Sequence, residues 1–272
     1  MPADALALAL VAAVLHAGWN VLLRGSEDVA ARTAVVLGLS VLLFAPVAAA
    51  TWSVSWTVAP YVAASAAFEG LYFALLVAAY RRRELSVVYP VARGSAPVLV
   101  LLGTAVLLGR HVSVAAAAGV CLVAGGVVLV RGVARGTEGM LVALAIGCAI
   151  AGYTLVDKDG LQHAATLPYL ELVIAPVAVV AVPLVAMRRG TSALRAQLTV
   201  STVVAAVASF GAYALVLAAL RLAPAPEVAA VRETSVVIAA LLAGAFLRER
   251  VGIERLVGAV SVAVGVALIA LS

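Results

Sequence analysis

The sequence has little charge for its length. Only 11% of its 272 residues are Asp, Glu, Lys or Arg, whereas 65% are hydrophobic. A water-soluble domain has about 25% charged and about 45–50% apolar residues, so this chain lacks the polar groups that would cover a surface facing water. Lipid must therefore be the solvent for most of the chain.

Catalytic, metal and nucleotide-binding motifs are also missing from the sequence. Cys121 and Cys148 form no CxxC pair and no metal-ligand spacing, and both lie in apolar runs typical of buried cysteine. The chain has no HExxH, GxSxG or P-loop sequence, and no GxGxxG that opens a soluble βαβ unit. We therefore expect no enzyme activity, no cofactor, no bound metal and no self-contained ATP-driven pump.

Basic charge is in moderate excess, with a formal net charge of +5, and Lys158 is the single lysine. No basic stretch is interleaved with aromatic residues, so the sequence predicts no nucleic-acid partner. The excess is typical of loops that face anionic lipid headgroups. Arginine in place of lysine, with abundant Ala and Val, favours a high-GC bacterial genome and hence a bacterial plasma membrane.

Apolar runs long enough to cross a bilayer fill most of the chain. A spanning helix needs about 20 apolar residues, and breaks at charged or Pro/Gly-rich positions divide the sequence into ten such runs. The predicted fold class is therefore an all-α integral membrane protein with ten transmembrane helices. The predicted spans are Ala3–Leu23, Thr33–Ala50, Val58–Tyr80, Ser86–Leu108, Val112–Val130, Met140–Val156, Leu167–Met187, Val200–Leu220, Glu227–Leu247 and Ile253–Leu271.

The sequence also repeats itself. Arg93-Gly94-Ser95-Ala96 is matched 139 positions later by Arg232-Glu233-Thr234-Ser235, and the segment 18–24 aligns with 152–158. We therefore expect one membrane domain made of two five-helix repeats, residues 1–133 and 138–272. Because five spans is an odd number, the second repeat enters the membrane upside down. Such inverted repeats usually enclose a transport pathway at their interface.

Loop charges predict the orientation of the chain. Apart from Arg93 and Arg232, the odd-numbered loops hold thirteen basic residues and the even-numbered loops hold three. The positive-inside rule then places the odd-numbered loops in the cytoplasm and both termini outside.

Two arginines at membrane depth are candidate functional residues. An arginine at the centre of a spanning helix costs about 2.5–3.5 kcal/mol, so it persists only where it faces protein or water. Arg93 and Arg232 lie at equivalent depth in the two repeats and are predicted to bind an anionic group of a substrate or to gate a cavity. The alternative is a structural pair with a glutamate or with backbone carbonyls.

One acidic residue stands in the middle of a span. Glu69 lies in the third span, with Tyr72 one turn further along the same face. Aligning Tyr72 with Tyr213 places Phe210 opposite Glu69, so the acid occurs in one repeat only. Glu69 is predicted to carry a coupling proton or to bind a substrate amine, and the alternative is a partner for one of the arginines.

Polar and aromatic residues form a stripe on the first span. His16, Trp19 and Asn20 share one helix face, and Tyr153 and Thr154 reproduce Trp19 and Asn20 in the sixth span. This stripe is predicted to be a cavity wall, or else an anchor at the membrane interface. His16 is a second candidate for the coupling proton. The predicted substrate-binding or gating residues are Trp19, Asn20, Glu69, Tyr72, Arg93, Tyr153, Tyr213 and Arg232.

These features resemble the EamA type of the drug/metabolite transporter superfamily. The segment 16–20 (HAGWN) is similar to the opening helix of one EamA branch, and the segment 247–251 (LRERV) resembles the end of an EamA repeat. The first repeat has Arg110 where the family usually has Glu. The resemblance implies secondary transport of small metabolites, often export of amino acids or related compounds, through a central cavity. Relatives commonly have cytoplasmic termini, the opposite of what the loop charges predict.

Two other functions stay open at this point. A lipid-linked sugar flippase or nucleotide-sugar carrier would have a cavity that opens sideways to lipid or is lined by more basic groups. A non-transporting membrane scaffold would have paired buried charges and no continuous cavity. The pairs Ala115/Gly119 and Ser261/Gly265 have helix-packing spacing and predict close packing inside the monomer or a dimer face. The chain is thus expected to be a monomer or a homodimer.

Overall fold

The computed structural model describes residues 1–24, 26, 28–82, 85–131, 139–239 and 253–272. Regular structure in these residues is helical, apart from one isolated bridge between Val54 and Ala164. A 3₁₀ turn at Trp56–Val58 precedes the third helix, and a π-helical turn at Gly103–Leu107 extends the fourth. The helices are α1 (Ala3–Arg24), α2 (Val29–Ala50), α3 (Ala59–Arg82), α4 (Leu85–Leu102), α5 (Val114–Arg131), α6 (Met140–Gly160), α7 (Thr166–Arg189), α8 (Thr191–Ala196), α9 (Val200–Leu222), α10 (Ala225–Arg232) and α11 (Ile253–Leu271).

Many of these helices are long and apolar enough to cross a membrane, which confirms the all-α membrane fold. Three shorter apolar helices, Val91–Leu107, Val114–Val130 and Leu256–Leu271, fall on further predicted spans. The ninth predicted span contains α10 and the helical residues 234–239, while residues 240–247 lie outside the described residues. The six long helices are Ala3–Leu23, Val29–Ala50, Trp56–Leu76, Met140–Gly160, Thr166–Arg189 and Val200–Leu222.

The outer faces of the helices are apolar. Leu42, Val106 and Val179 are each more than two-thirds exposed, at 72%, 74% and 71%. Large exposed apolar patches indicate surfaces that contact another apolar phase. In this protein that phase is lipid. Cys121 and Cys148, expected to be buried, lie on this exposed surface. An apolar side chain that faces lipid gives the same sequence pattern as one buried in protein.

Helices pack in pairs that join the two halves of the chain. The main contacts are α1 with α9, α3 with α6, α2 with α7, and α5 with α11, and α4 packs on α6. α10 contacts both α1 and α4. A space lies in the middle, between α1, α2, α3, α6, α7, α9 and α10.

The contact between α5 and α11 depends on glycine. A Cβ atom on Gly119 would lie 2.7 Å from the carbonyl oxygen of Gly265, and one on Gly126 would lie 2.6 Å from that of Gly258. The two backbones touch at these points, so no side chain fits between them. The small-residue spacing found in the sequence therefore serves packing within one chain.

Gly126→Ala is expected to destabilise the protein by about 1–3 kcal/mol, because the added methyl group overpacks a backbone contact. The matched control is the neighbouring Gly125→Ala, since a Cβ atom at Gly125 meets nothing within 4 Å. Alanine there should be neutral or slightly stabilising, because it favours helix over glycine. Thermal unfolding in detergent compares the two variants, and equal midpoints would contradict the packing described here.

Candidate functional site

A cavity of ≈ 810 Å³, counting the space open to solvent, lies between α1, α2, α3, α6, α7, α9 and α10. Its wall is mainly apolar and aromatic, with a few polar groups. The lining residues are Ala12, His16, Trp19, Thr33, Val36, Leu37, Ser40, Glu69, Tyr72, Phe73, Tyr153, Leu170, Ile174, Ser209, Phe210, Ala212, Tyr213, Val216 and Arg232.

The structure brings most of the predicted site residues together in this wall. The sequence places these residues on five separate spans, which the helix packing gathers around one space. Those that line the cavity are His16, Trp19, Glu69, Tyr72, Tyr153, Tyr213 and Arg232. Asn20 and Arg93 are not among the lining residues.

Arg232 supplies the positive charge of the cavity wall. It lies at the end of α10, where its Nη2 donates a hydrogen bond to the Tyr153 hydroxyl at 3.1 Å. Its guanidinium carbon is 6.0 Å from the centre of the Tyr153 ring, at the outer limit of a cation–π contact. Tyr153 also packs against Tyr213, with ring centres 6.0 Å apart. The guanidinium group is therefore held over an aromatic surface and faces the cavity.

Glu69 supplies a carboxyl group to the same wall. Its side chain is almost fully buried, with 4% of the residue exposed. Tyr213 and Arg232 line the same wall beside it, and both act on the Glu69 carboxyl. Glu69 therefore shares the cavity with Arg232, so the wall presents one acidic and one basic group to a ligand.

Arg93 forms a buried salt bridge with another helix segment and does not line the cavity. It is 3% exposed, and its Nε lies 2.9 Å from Oε2 of Glu233 in a buried salt bridge. Its Nη2 also donates to the Ser235 hydroxyl at 3.3 Å. The pair fastens α4 to the segment that follows α10. The partner is thus Glu233, which matches the alternative of a structural pair with a glutamate, and Arg93 is not among the residues that line the cavity.

Asn20, Trp19 and His16 contact one another within α1. The Asn20 amide donates to the backbone carbonyl of His16 at 2.7 Å, and Trp19 Nε1 lies 3.4 Å from His16 Nδ1. The Asn20 side chain therefore bonds to its own helix and is not among the residues that line the cavity. His16 and Trp19 form an edge-to-face pair in the wall.

Asp157 is a residue that the sequence analysis missed. It has no exposed surface, and its carboxylate accepts hydrogen bonds from Ser65, Tyr169 and Tyr213 at 2.5, 2.8 and 2.7 Å. The sequence signal was present, because the repeat alignment places Asp157 opposite Leu23. An acid in one repeat where the other repeat has a leucine indicates a role that belongs to that repeat alone.

The end of the protein that carries the even-numbered loops is closed. The backbone NH of Ser55 donates to the carbonyl of His163 at 2.8 Å, and that of Ala165 donates to the carbonyl of Ser53 at 2.7 Å. Lys158 donates to the carbonyls of Leu220 and Ala223.

Arginines add to this closure. Arg221 donates to the carbonyl of Ala164 and to the Thr166 hydroxyl, and Arg110 pairs with Asp159 at 2.7 Å. All three basic residues of the even-numbered loops therefore take part in closing this end.

No group of three His, Cys, Asp or Glu side chains suited to a metal ion occurs in the part of the chain that the structure describes. The wall thus offers aromatic stacking, one guanidinium group and one carboxyl group. These groups suit a small polar or amphipathic molecule with both an anionic and a cationic part.

Comparisons with known proteins agree with this picture. The model of the EamA-like transporter family matches residues 137–271. No curated protein matches the sequence significantly. A solved chain described only as a crystal structure of a protein superposes on 100% of this chain and 98% of its own length, with a TM-score of 0.80 and 15% sequence identity. At that identity the likeness concerns the fold alone.

Proposed function

Because the chain belongs to the EamA-like transporter family, we propose that it is a secondary transporter that carries a small metabolite through the cavity by alternating access. It is a multi-pass membrane protein whose family transports small molecules. The observation that carries the proposal is the cavity itself, which holds Arg232 and Glu69 in one aromatic wall. Amino acids or related compounds fit this pair of charges, since their carboxylate pairs with a guanidinium group and their amine with a carboxylate.

We further propose that the fold consists of ten spans in two inverted repeats, residues 1–133 and 138–272. The helix contacts support this arrangement. The α1–α9 contact and the α3–α6 contact exchange under the sequence alignment of the repeats, and α2–α7 and α5–α11 each join equivalent helices. A two-fold axis in the membrane plane produces contacts of this kind.

Loop contacts support the same symmetry. At one end, the loop after α2 bonds to the loop after α6, through Ser55 and His163. At the other end, the loop after α1 bonds to the loop after α7, where the Ser26 hydroxyl donates to Gln197 at 3.0 Å. Each pair maps onto the other when the repeats are exchanged.

The proposed substrate contacts are Arg232 for an anionic group, Glu69 for a cationic group, and Trp19, Tyr72, Tyr153 and Tyr213 for apolar parts. Glu69 and His16 are candidates for a coupling proton.

We propose export across a bacterial plasma membrane as the direction and location, from the family resemblance and the arginine-rich composition. Monomer and homodimer remain alternatives, because the α5–α11 contact lies within one chain and leaves other outer faces to lipid.

The rival functions fit the geometry less well. A scaffold has no use for a cavity whose wall carries Arg232 and Glu69. A lipid-linked sugar flippase or nucleotide-sugar carrier needs to neutralise a diphosphate. Among the described residues that line the cavity, Arg232 is the only arginine, and there is no lysine.

A flux screen tests the proposed function. The purified protein is reconstituted into liposomes, and uptake of labelled amino acids, nucleotide sugars and cationic drugs is measured with and without a pH gradient. We expect uptake of amino acids or related zwitterions well above that of empty liposomes. Uptake of nucleotide sugars alone would favour the carrier alternative, and no uptake of any class would contradict transport.

A further inference from the structure

Asp157 lies beside the cavity and not in its wall. Its Oδ1 accepts hydrogen bonds from the Ser65 and Tyr169 hydroxyls, and its Oδ2 accepts one from the Tyr213 hydroxyl. An ionised carboxylate only accepts hydrogen bonds, and three hydroxyl donors satisfy it. This environment explains how a fully buried acid persists within a membrane helix, but not why the chain keeps an acid there.

Tyr213 connects Asp157 to the cavity. Its hydroxyl donates to Asp157 at 2.7 Å, and its side chain lines the cavity together with Glu69. A tyrosine hydroxyl has one hydrogen to donate, so while Tyr213 donates to Asp157 its oxygen is left to accept a proton from the cavity side, where Glu69 lies. The hydrogen bond between Tyr213 and Asp157 reverses its direction when the tyrosine oxygen takes up a proton and the hydroxyl proton passes to Asp157.

The two acids occupy different depths. Asp157 is three residues before the end of α6, and Tyr169 is three residues after the start of α7. At a rise of about 1.5 Å per residue, both lie roughly 5 Å from the helix ends that carry the closed loops. Glu69 is ten residues into α3 and lines the cavity. The three side chains therefore run from the cavity toward the closed end.

This arrangement occurs at one of two equivalent helix contacts. The α3–α6 contact carries Glu69 and Asp157, whereas the alignment of the repeats places Phe210 and Leu23 at the α1–α9 contact. Phe210 and Leu23 are both buried there. Packing is thus achieved with apolar side chains at one contact, so the acids at the other have a purpose beyond packing.

We propose that Glu69, Tyr213 and Asp157 form a proton relay, in which Asp157 stores the coupling proton on the closed side of the cavity. This inference rests on the proposed transport function. In the transfer, the Glu69 carboxyl gives its proton to the Tyr213 oxygen while the Tyr213 hydroxyl proton passes to Asp157. Glu69 becomes a carboxylate that binds a substrate amine, Asp157 becomes neutral, and Tyr213 is unchanged.

The surrounding charges are consistent with one shared proton. Arg232 on α10 acts electrostatically on both acids, and Tyr169 on α7 donates to Asp157. On α6 itself, Lys158 is turned toward the carbonyls of α9, and on α4, Arg93 is paired with Glu233.

The test separates proton-driven accumulation from simple exchange. Liposomes containing the full-length protein are given a labelled mixture of the protein amino acids, either at equal concentration on both sides or with a pH gradient. Asp157→Asn is expected to keep exchange and to lose accumulation by about 10-fold or more, because a group that transfers the proton is removed. The control Tyr169→Phe also loses a hydrogen bond to Asp157 but keeps the relay, and should accumulate the label like the wild type.

Tyr213→Phe provides a second test that does not depend on how well Asp157→Asn folds. The ratio of driven to exchange rate is expected to fall in Tyr213→Phe and to stay at the wild-type value in Tyr169→Phe. Wild-type accumulation by Asp157→Asn, or equal ratios in the two tyrosine variants, would overturn the relay. Exchange without any response to pH in the wild type would overturn the relay alone, and no exchange in the wild type would overturn the proposed function together with it.

Discussion

Arg232→Ala is expected to lower transport at limiting substrate by about 10-fold or more while the protein remains folded in the membrane. Arg232 faces the cavity and contacts Tyr153, so its removal leaves space that water fills. A hydrogen bond to a charged group contributes about 1.5–3 kcal/mol, so the affinity for an anionic substrate group should fall about 10-fold to 150-fold. The measurement is substrate binding and uptake by the purified variant in liposomes.

Arg232→Lys is the matched control for charge. Lysine keeps the positive charge but loses the planar fork that pairs with a carboxylate, so we expect partial activity. The thermal midpoint of both variants should stay near that of the wild type. Full transport by Arg232→Ala would remove Arg232 from the substrate site.

Arg93→Ala is expected to have its main effect on stability. Arg93 and Glu233 form a buried pair, and removing the arginine leaves an uncompensated carboxylate inside the protein. Breaking a buried ion pair in this way costs about 3–5 kcal/mol. The variant should therefore show a clearly lower unfolding midpoint and a lower amount of protein in the membrane.

The double variant Arg93→Met with Glu233→Leu distinguishes structure from function at this site. Buried ion pairs can be replaced by apolar side chains of similar volume with little loss of stability. We therefore expect the double variant to recover most of the lost stability and to retain substrate binding. If Arg93→Ala is as stable as the wild type but inactive, then Arg93 takes part in transport directly.

The two arginines show what the sequence can predict. The repeat placed Arg93 and Arg232 at equivalent depth, and the cost of burial marked both as important. Their different environments depend on Glu233, whose counterpart in the first repeat is Gly94. A glutamate next to Arg232 points about 100° away on a helix, so its partner came from another helix, and no spacing rule identifies that helix.

The cavity wall was more predictable than the acid behind it. Glu69, Tyr72 and Tyr213 interrupt apolar runs, and polar groups at membrane depth face water or protein. Asp157 was missed because the sixth span was predicted to end at Val156, just before three charged residues in a row. α6 continues to Gly160 because those charges have tertiary partners, and the partners belong to helices far away in sequence.

The central claim is that a water-filled, substrate-binding chamber lies between the two halves, and thiol labelling tests it most directly. In a Cys121→Ala/Cys148→Ala background, Ser209→Cys places a thiol in the cavity wall, and Val207→Cys places one on the outer, 45% exposed face of the same helix. A charged, membrane-impermeant thiol reagent should label Ser209→Cys in intact liposomes, transported substrate should protect it, and Val207→Cys should stay unlabelled in lipid. An unlabelled Ser209→Cys in folded protein would mean that the centre is dry, and would contradict the transporter described here.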